Sequence, residues 1–318
     1  MTRCTLMALM ILAISCAPHT DSTAPADDTA ETTTAGEAFA PATWEELADV
    51  RLGGILDEEV QLVDGRWEGE PFAEGGASRP AVGLVDDFLL LGDLTGDGNS
   101  ESAALVWTSS GGSGTFDYIA VAGRDGQGAA TVIDTAELGD RVKVRAGRIV
   151  EGRLELDVVQ AGPEDAACCP SQLATRSWSL DNGRLAEAEA EITGTLSSSV
   201  LEGTEWVLTS FGQQERAPAE PRVTMTVEDG RASGSAGCNR YFTDIQDGDE
   251  MPASLSLGPV GSTRMMCPEE IMAVEDRFLQ ELGKVSSFSF VGGRLVLSWQ
   301  DGDEFGSLSF SPGEPGAQ

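Results

Sequence analysis

Histidine is nearly missing from this chain. One residue in 318 is a histidine, His19, and it lies in the N-terminal leader. Everything downstream is therefore without a Ser-His-Asp triad, a Cys-His nucleophile pair or a histidine zinc site. Positive charge is scarce as well: 20 Lys and Arg stand against 53 Asp and Glu, for a formal net charge of −33. Such a surface repels phosphate backbones and anionic headgroups, which excludes nucleic acid as a partner and leaves no electrostatic route to a bilayer. Long apolar runs are lacking too. The uncharged stretch from Leu6 to Ile14 falls far short of the roughly 20 residues that a helical span requires.

What is there begins with an address. Arg3, the apolar run Leu6 to Ile14, then Ser15 and Cys16 make residues 1–15 a secretory signal peptide. "LAISC" resembles a bacterial lipobox, with Ala13 standing where that pattern favours leucine. The resemblance implies cleavage before Cys16 and its lipidation with palmitate; an ordinary cleaved signal is the alternative. Residues 16–42 are almost entirely Ala, Pro, Thr, Ser, Asp and Glu, too poor in apolar side chains to offset the entropy of folding, and read as a disordered acidic tether. The expected product is an exported monomer that meets the lipid bilayer only through its N-terminal lipid, in an oxidising space where disulfides form. Ala17 after the cysteine favours the outer membrane or periplasmic face, by analogy with Gram-negative sorting.

The rest reads as mainly β. Thirty-eight glycines and many short Val, Leu and Ile runs point to hairpins in two antiparallel β-rich domains, 43–192 and 200–311, with 312–318 as a tail. Thr43 and Glu46 have the capping-box spacing, so a short helix is predicted at the start of the first domain. Alternating segments then follow, with turns expected at Asp64-Gly65, Gly147, Glu151-Gly152 and Asn182-Gly183, as in an antiparallel meander with one face buried.

Three stretches of this domain invite chemistry. Asp93, Thr95, Asp97, Asn99 and Glu101 alternate around Gly98, like the front half of an oxygen-ligand calcium loop. Position twelve, where an EF-hand closes with glutamate, is Ala104. The stretch resembles a single Asp-x-x-Gly-Asp-Gly turn of FG-GAP repeats, some of which bind calcium; a solvated turn is the other reading. "SSGGSGTF", Ser109 to Phe116, lacks the Lys-Ser/Thr ending of a phosphate loop and reads as a hairpin loop. Cys168 and Cys169 are adjacent, with a structural or redox role, as a loop staple or as a vicinal switch.

The second domain is more specific. Trp206 and Leu208 share one strand face, Val223, Met225 and Val227 alternate into an Asp229-Gly230 turn, and Gly292-Gly293 joins a tight hairpin. Ile271, Val274, Phe278 and Leu282 recur at helical spacing between Pro268 and Gly283, with Glu269 and Glu270 in the first turn, predicting one amphipathic helix. The Gly-Thr-x-Trp strand from Gly203, "GCNRY" from Gly237 and "TRMMC" from Thr263, followed by this helix and the final hairpin, resemble the META/HslJ family. The resemblance implies a lipocalin-like barrel, exported or lipid-anchored, linked to envelope stress and antibiotic tolerance, with no established catalysis. With no histidine to serve as a base, Cys238 and Cys267 are expected to form a disulfide closing a loop of about 30 residues, worth roughly 3–4 kcal/mol in the chain-entropy model; free buried thiols are the alternative. Asn239, Arg240, Thr263 and Arg264 could meet a ligand, or satisfy nearby backbone and acidic groups.

Together these features predict a membrane-anchored envelope lipoprotein that is not an enzyme and has no cofactor. Its META-like domain would act as a non-catalytic binding or structural module for an envelope protein or small ligand. The rivals are a calcium-dependent binding protein using Asp93–Glu101 and a hydrolase working with carboxylates alone, as glycosidases do.

Overall fold

Strands dominate the chain in a computed structural model that describes residues 39–111, 114–166 and 168–313. Cys16, His19, the leader and the tether up to residue 38 lie outside the described residues, as does most of the tail. Residues 40–42, expected in the tether, are held on the folded body: Arg124 donates to the Ala40 and Pro41 carbonyls, and Ala42 is buried. Thr43 caps the short helix Trp44–Leu47: its hydroxyl accepts from the Glu46 amide while the Glu46 carboxylate accepts from its own.

Five strands from Arg66–Glu68 to Ala130–Asp140 form an antiparallel meander in chain order. Lys143–Val150, Arg153–Gln160, Gln172–Asp181, Arg184–Glu187 and Glu191–Thr195 form a second antiparallel sheet. The two sheets face each other across a core that includes Phe88, Leu105, Ile119, Leu154, Leu156 and Trp178. The first sheet is buried on its other face as well. Leu47, Leu52, Val60 and Leu62 from the N-terminal segment pack there on Val82, Ala104, Val106 and Ala120. The expected alternation is present in Arg153–Gln160 of the second sheet, while for the first sheet a meander with one buried face is corrected to a sheet covered on both sides. Strand Glu101–Ser109 accordingly has no polar face, and "SAALVW" reads as a continuous apolar run.

Asp64-Gly65, Glu151-Gly152, Asn182-Gly183, Asp229-Gly230 and Gly292-Gly293 all have positive φ at both residues, the conformation that two-residue hairpins require. Gly147 does not turn. It pairs with Leu156 inside Lys143–Val150, and a Cβ there would lie 2.7 Å from Leu90 and 2.8 Å from Leu156. The glycine makes room for a neighbouring sheet.

The C-terminal region wraps into a nearly closed barrel. Strands Leu255–Leu257, Arg240–Asp247, Arg231–Ser235, Thr224–Glu228, Trp206–Phe211, Glu304–Pro312, Arg294–Asp301 and Val285–Val291 bond in that spatial order. The seam between first and last is bridged at Ser254 and Ser287, where the Phe288 amide donates to the Ala253 carbonyl at 3.0 Å. Helix Glu269–Leu282 runs between the Pro268 cap and Gly283 and buries Phe278 and Leu282 in the barrel core with Tyr241 and Phe310. Barrel and sandwich meet directly. Val159 and Leu173 of the second sheet join the barrel's core, and the Gly293 amide donates to the Val144 carbonyl at 3.0 Å.

Candidate functional site

The "GCNRY" turn is built around a residue that the sequence reading passed over. Glu275, in the middle of the long helix, is only 3% exposed. Its carboxylate accepts from the Cys238 amide at 3.1 Å, the Asn239 amide at 2.6 Å and the Asn239 side-chain amide at 2.7 Å. Asn239, equally buried, turns its Oδ1 toward the next loop, accepting from the Thr263 hydroxyl at 2.8 Å and the Met265 amide at 2.7 Å, while its Nδ2 also donates to the Met265 carbonyl. The Thr263 hydroxyl in turn accepts from the Arg240 amide. Cys238 and Cys267 are bonded beside this network, with Cα atoms 6.1 Å apart. Of the four ligand candidates, Asn239 and Thr263 are thus engaged internally, and the Arg240 and Arg264 side chains are exposed. The signal for Glu275 was present: it sits four residues after Ile271 and three before Phe278, an acid within the apolar stripe.

The Asp-rich loop is likewise closed on itself. Asp93 accepts from the Gly96 and Gly98 amides at 2.7 and 2.9 Å, Asp97 from the Asn99 amide at 2.7 Å, and the buried Glu101 from the Leu94 and Thr95 amides at 2.8 and 3.2 Å. Burial pushes the Glu101 carboxyl up, against the pull of the two amides. Thr95 leans on Asp93. These oxygens face backbone donors, as in an Asx-turn lattice, and among the described residues no group of three or more His, Cys, Asp or Glu is placed to hold a metal ion.

Cys168 and Cys169 form a vicinal disulfide at the mouth of a cavity of about 170 Å³ between sandwich and barrel. Asp165 fixes their loop by accepting from the Gly162 amide and from both amide and hydroxyl of Ser171, each at 2.7 Å. Across the mouth, Cys169 Sγ lies 3.8 Å from Met251 Sδ. The walls are Val159, Leu196, Phe288 and Phe290, and Lys143 is the one charged residue in the lining. A wider cavity adjoins it, sharing Lys143, Cys168, Pro170 and Phe290 and adding the half-buried Asp117.

Burial pushes the Asp117 carboxyl up to about 6, with Lys143 opposing the rise and Asp140 adding to it. The folded value lies above the ordinary 3.8, so between the two the folded state holds a proton that the unfolded chain has lost. Stability from this group is complete below the ordinary value and falls as pH rises to about 6. Asp117→Asn is expected to remove that fall and to raise stability at pH 7 by about 1–2 kcal/mol, the full linkage value being reduced for partial exposure. Urea unfolding of both proteins at pH 4 and pH 7 reads the difference; equal pH dependence would rule out Asp117 as its source.

An antiparallel barrel closed by a short seam, with one helix pinned across it by a buried acid, defines a small β module whose sequence motifs serve its own architecture. Residues 199–309, the C-terminal third of the chain, match the family model described as the META domain. Among solved structures, the NMR structure of a protein from Burkholderia xenovorans is similar at 27% identity, over 36% of this chain and 85% of that one, with a TM-score of 0.30. No curated protein matches the chain.

Proposed function

We propose that this protein is an exported lipoprotein, anchored through Cys16, whose folded body is a non-catalytic binding or structural module of the cell envelope, serving in envelope stress or antibiotic tolerance. One observation carries the non-catalytic reading. The polar side chains that looked chemical in the sequence, Asn239, Thr263, Asp93 and Glu101, are engaged by neighbours within the fold, with Glu275 at the centre of one cluster. A nucleophile or general acid must be aimed at a bound substrate, and these groups are aimed at the backbone and side chains of turns within the fold. The side chains facing the cavity between the two β units are predominantly apolar, which suits binding rather than bond cleavage.

The anchor is tested in cells. Wild-type chain grown with labelled palmitate is expected to take up the label and to partition into detergent, and Cys16→Ser is expected to lose both. Wild-type protein that stays soluble and unlabelled would refute the anchor.

A further inference from the structure

We propose that the cavity between sandwich and barrel, lined by Lys143, Cys168–Cys169, Met251 and Phe288–Phe290, is a binding site for a single-ring aromatic molecule carrying one carboxylate. The proposal rests on reading the body as a binding module and gives that module its ligand class.

Size sets the first limit. A cavity of about 170 Å³ is close to one of about 150 Å³ known to hold benzene, so one ring fits in it. The lining sets the second. Phe288 and Phe290 are each 2% exposed and locked in the barrel core. Facing them are three polarisable sulfur atoms, those of Cys168, Cys169 and Met251. Ring edges and thioether or disulfide sulfur favour an aromatic occupant over an aliphatic one.

The walls are also pre-formed. Asp165 holds the disulfide loop, and the Phe288–Ala253 backbone bond holds the opposite lip. Little ordering would accompany binding.

The charge sets the third limit. Among the described residues Lys143 makes no ion pair, while about half of the chain's arginines do; its charge acts on Asp117, in the adjoining cavity, opposing the rise of that carboxyl. An unpaired ammonium at the edge of an apolar slot suits a carboxylate. The chain's net charge of −33 opposes an anion at long range, but it is screened beyond about 8 Å at physiological salt, so the charge nearest the slot is that of Lys143, with Asp117 in the adjoining cavity.

The test uses the full chain carrying 13C-methyl methionine, with Met251→Leu assigning the Met251 resonance. Benzoate and toluene are both expected to shift that resonance saturably, and acetate is not. Lys143→Met should weaken benzoate about tenfold and leave toluene unchanged. Ala253→Phe, which fills the slot, should abolish both shifts while the other methionine resonances persist. The proposal is overturned if neither aromatic moves Met251, if toluene binds and benzoate does not, or if Lys143→Met leaves benzoate affinity unchanged. Aromatic shifts surviving in a folded Ala253→Phe protein would also overturn it, and if that variant does not fold, the Lys143→Met comparison decides. None of these readouts touches palmitate labelling of Cys16, so failure here and failure of the anchor are told apart.

Discussion

Glu275→Ala is expected to lower the stability of the folded body by about 3–5 kcal/mol, a larger loss than truncating any exposed acid would cause. The variant removes one carboxylate and strands three donors at once: the amides of Cys238 and Asn239 and the Asn239 side-chain amide. Each stranded donor costs about 1–3 kcal/mol where water cannot reach it, and Glu275 and Asn239 are 3% and 2% exposed. Glu275→Gln keeps one acceptor oxygen but turns an amide toward donors, so about half of the loss is expected. Urea unfolding measures both. Asn239→Ala should add less than its full cost to Glu275→Ala, because the two side chains share one bond, while Asn239 still holds Thr263 and Met265 after Glu275 is gone. A loss below about 1 kcal/mol for Glu275→Ala would mean that water takes over the carboxylate's bonds.

The local architecture was legible because each device is short in sequence. Asp64-Gly65, Asn182-Gly183 and Gly292-Gly293 announce positive φ by composition, and the structure has it at all six residues. Thr43 and Glu46 announce a cap through a three-residue spacing, and helix Glu269–Leu282 is bracketed by Pro268 and Gly283. What escaped depends on distant partners. Gly147 looks like a turn until Leu90 and Phe88 arrive from another sheet to occupy the space over it. Strand Glu101–Ser109 is buried on both faces because residues 42–62 fold back over it, and no local pattern announces that cover. Glu275 is the intermediate case: its place in the apolar stripe was readable, but its partners lie 36 and 37 residues away. The cavity was least legible of all. Its lining comes from residues 143, 159, 168–170, 196, 251–253 and 288–290, and only folding brings them together.

Opening the Cys238–Cys267 bond is expected to cost about 3–4 kcal/mol, the loop-closure entropy of its 29-residue separation, with the body remaining β-rich. Peptide mapping of unreduced, alkylated protein should give a cross-linked pair containing these two cysteines, and freely alkylated Cys238 and Cys267 would refute the bond. The mechanism can be separated from the bond's existence. A disulfide of this kind acts chiefly on the unfolded chain, whereas Glu275 acts in the native state on the same turn. If that division holds, Cys238→Ser with Cys267→Ser should add to Glu275→Ala within about 0.5 kcal/mol, despite contact between the two sites. Strong coupling would place the disulfide's effect in the native turn, as the brace that keeps Asn239 aligned with the helix. Hydrogen exchange gives the local view. With Glu275 intact and the bond opened, the amides of Cys238 and Asn239 should stay protected, because their acceptor is still present. The start of the helix, which follows Cys267 directly and whose cap Pro268 offers no side-chain hydrogen bond, should exchange first.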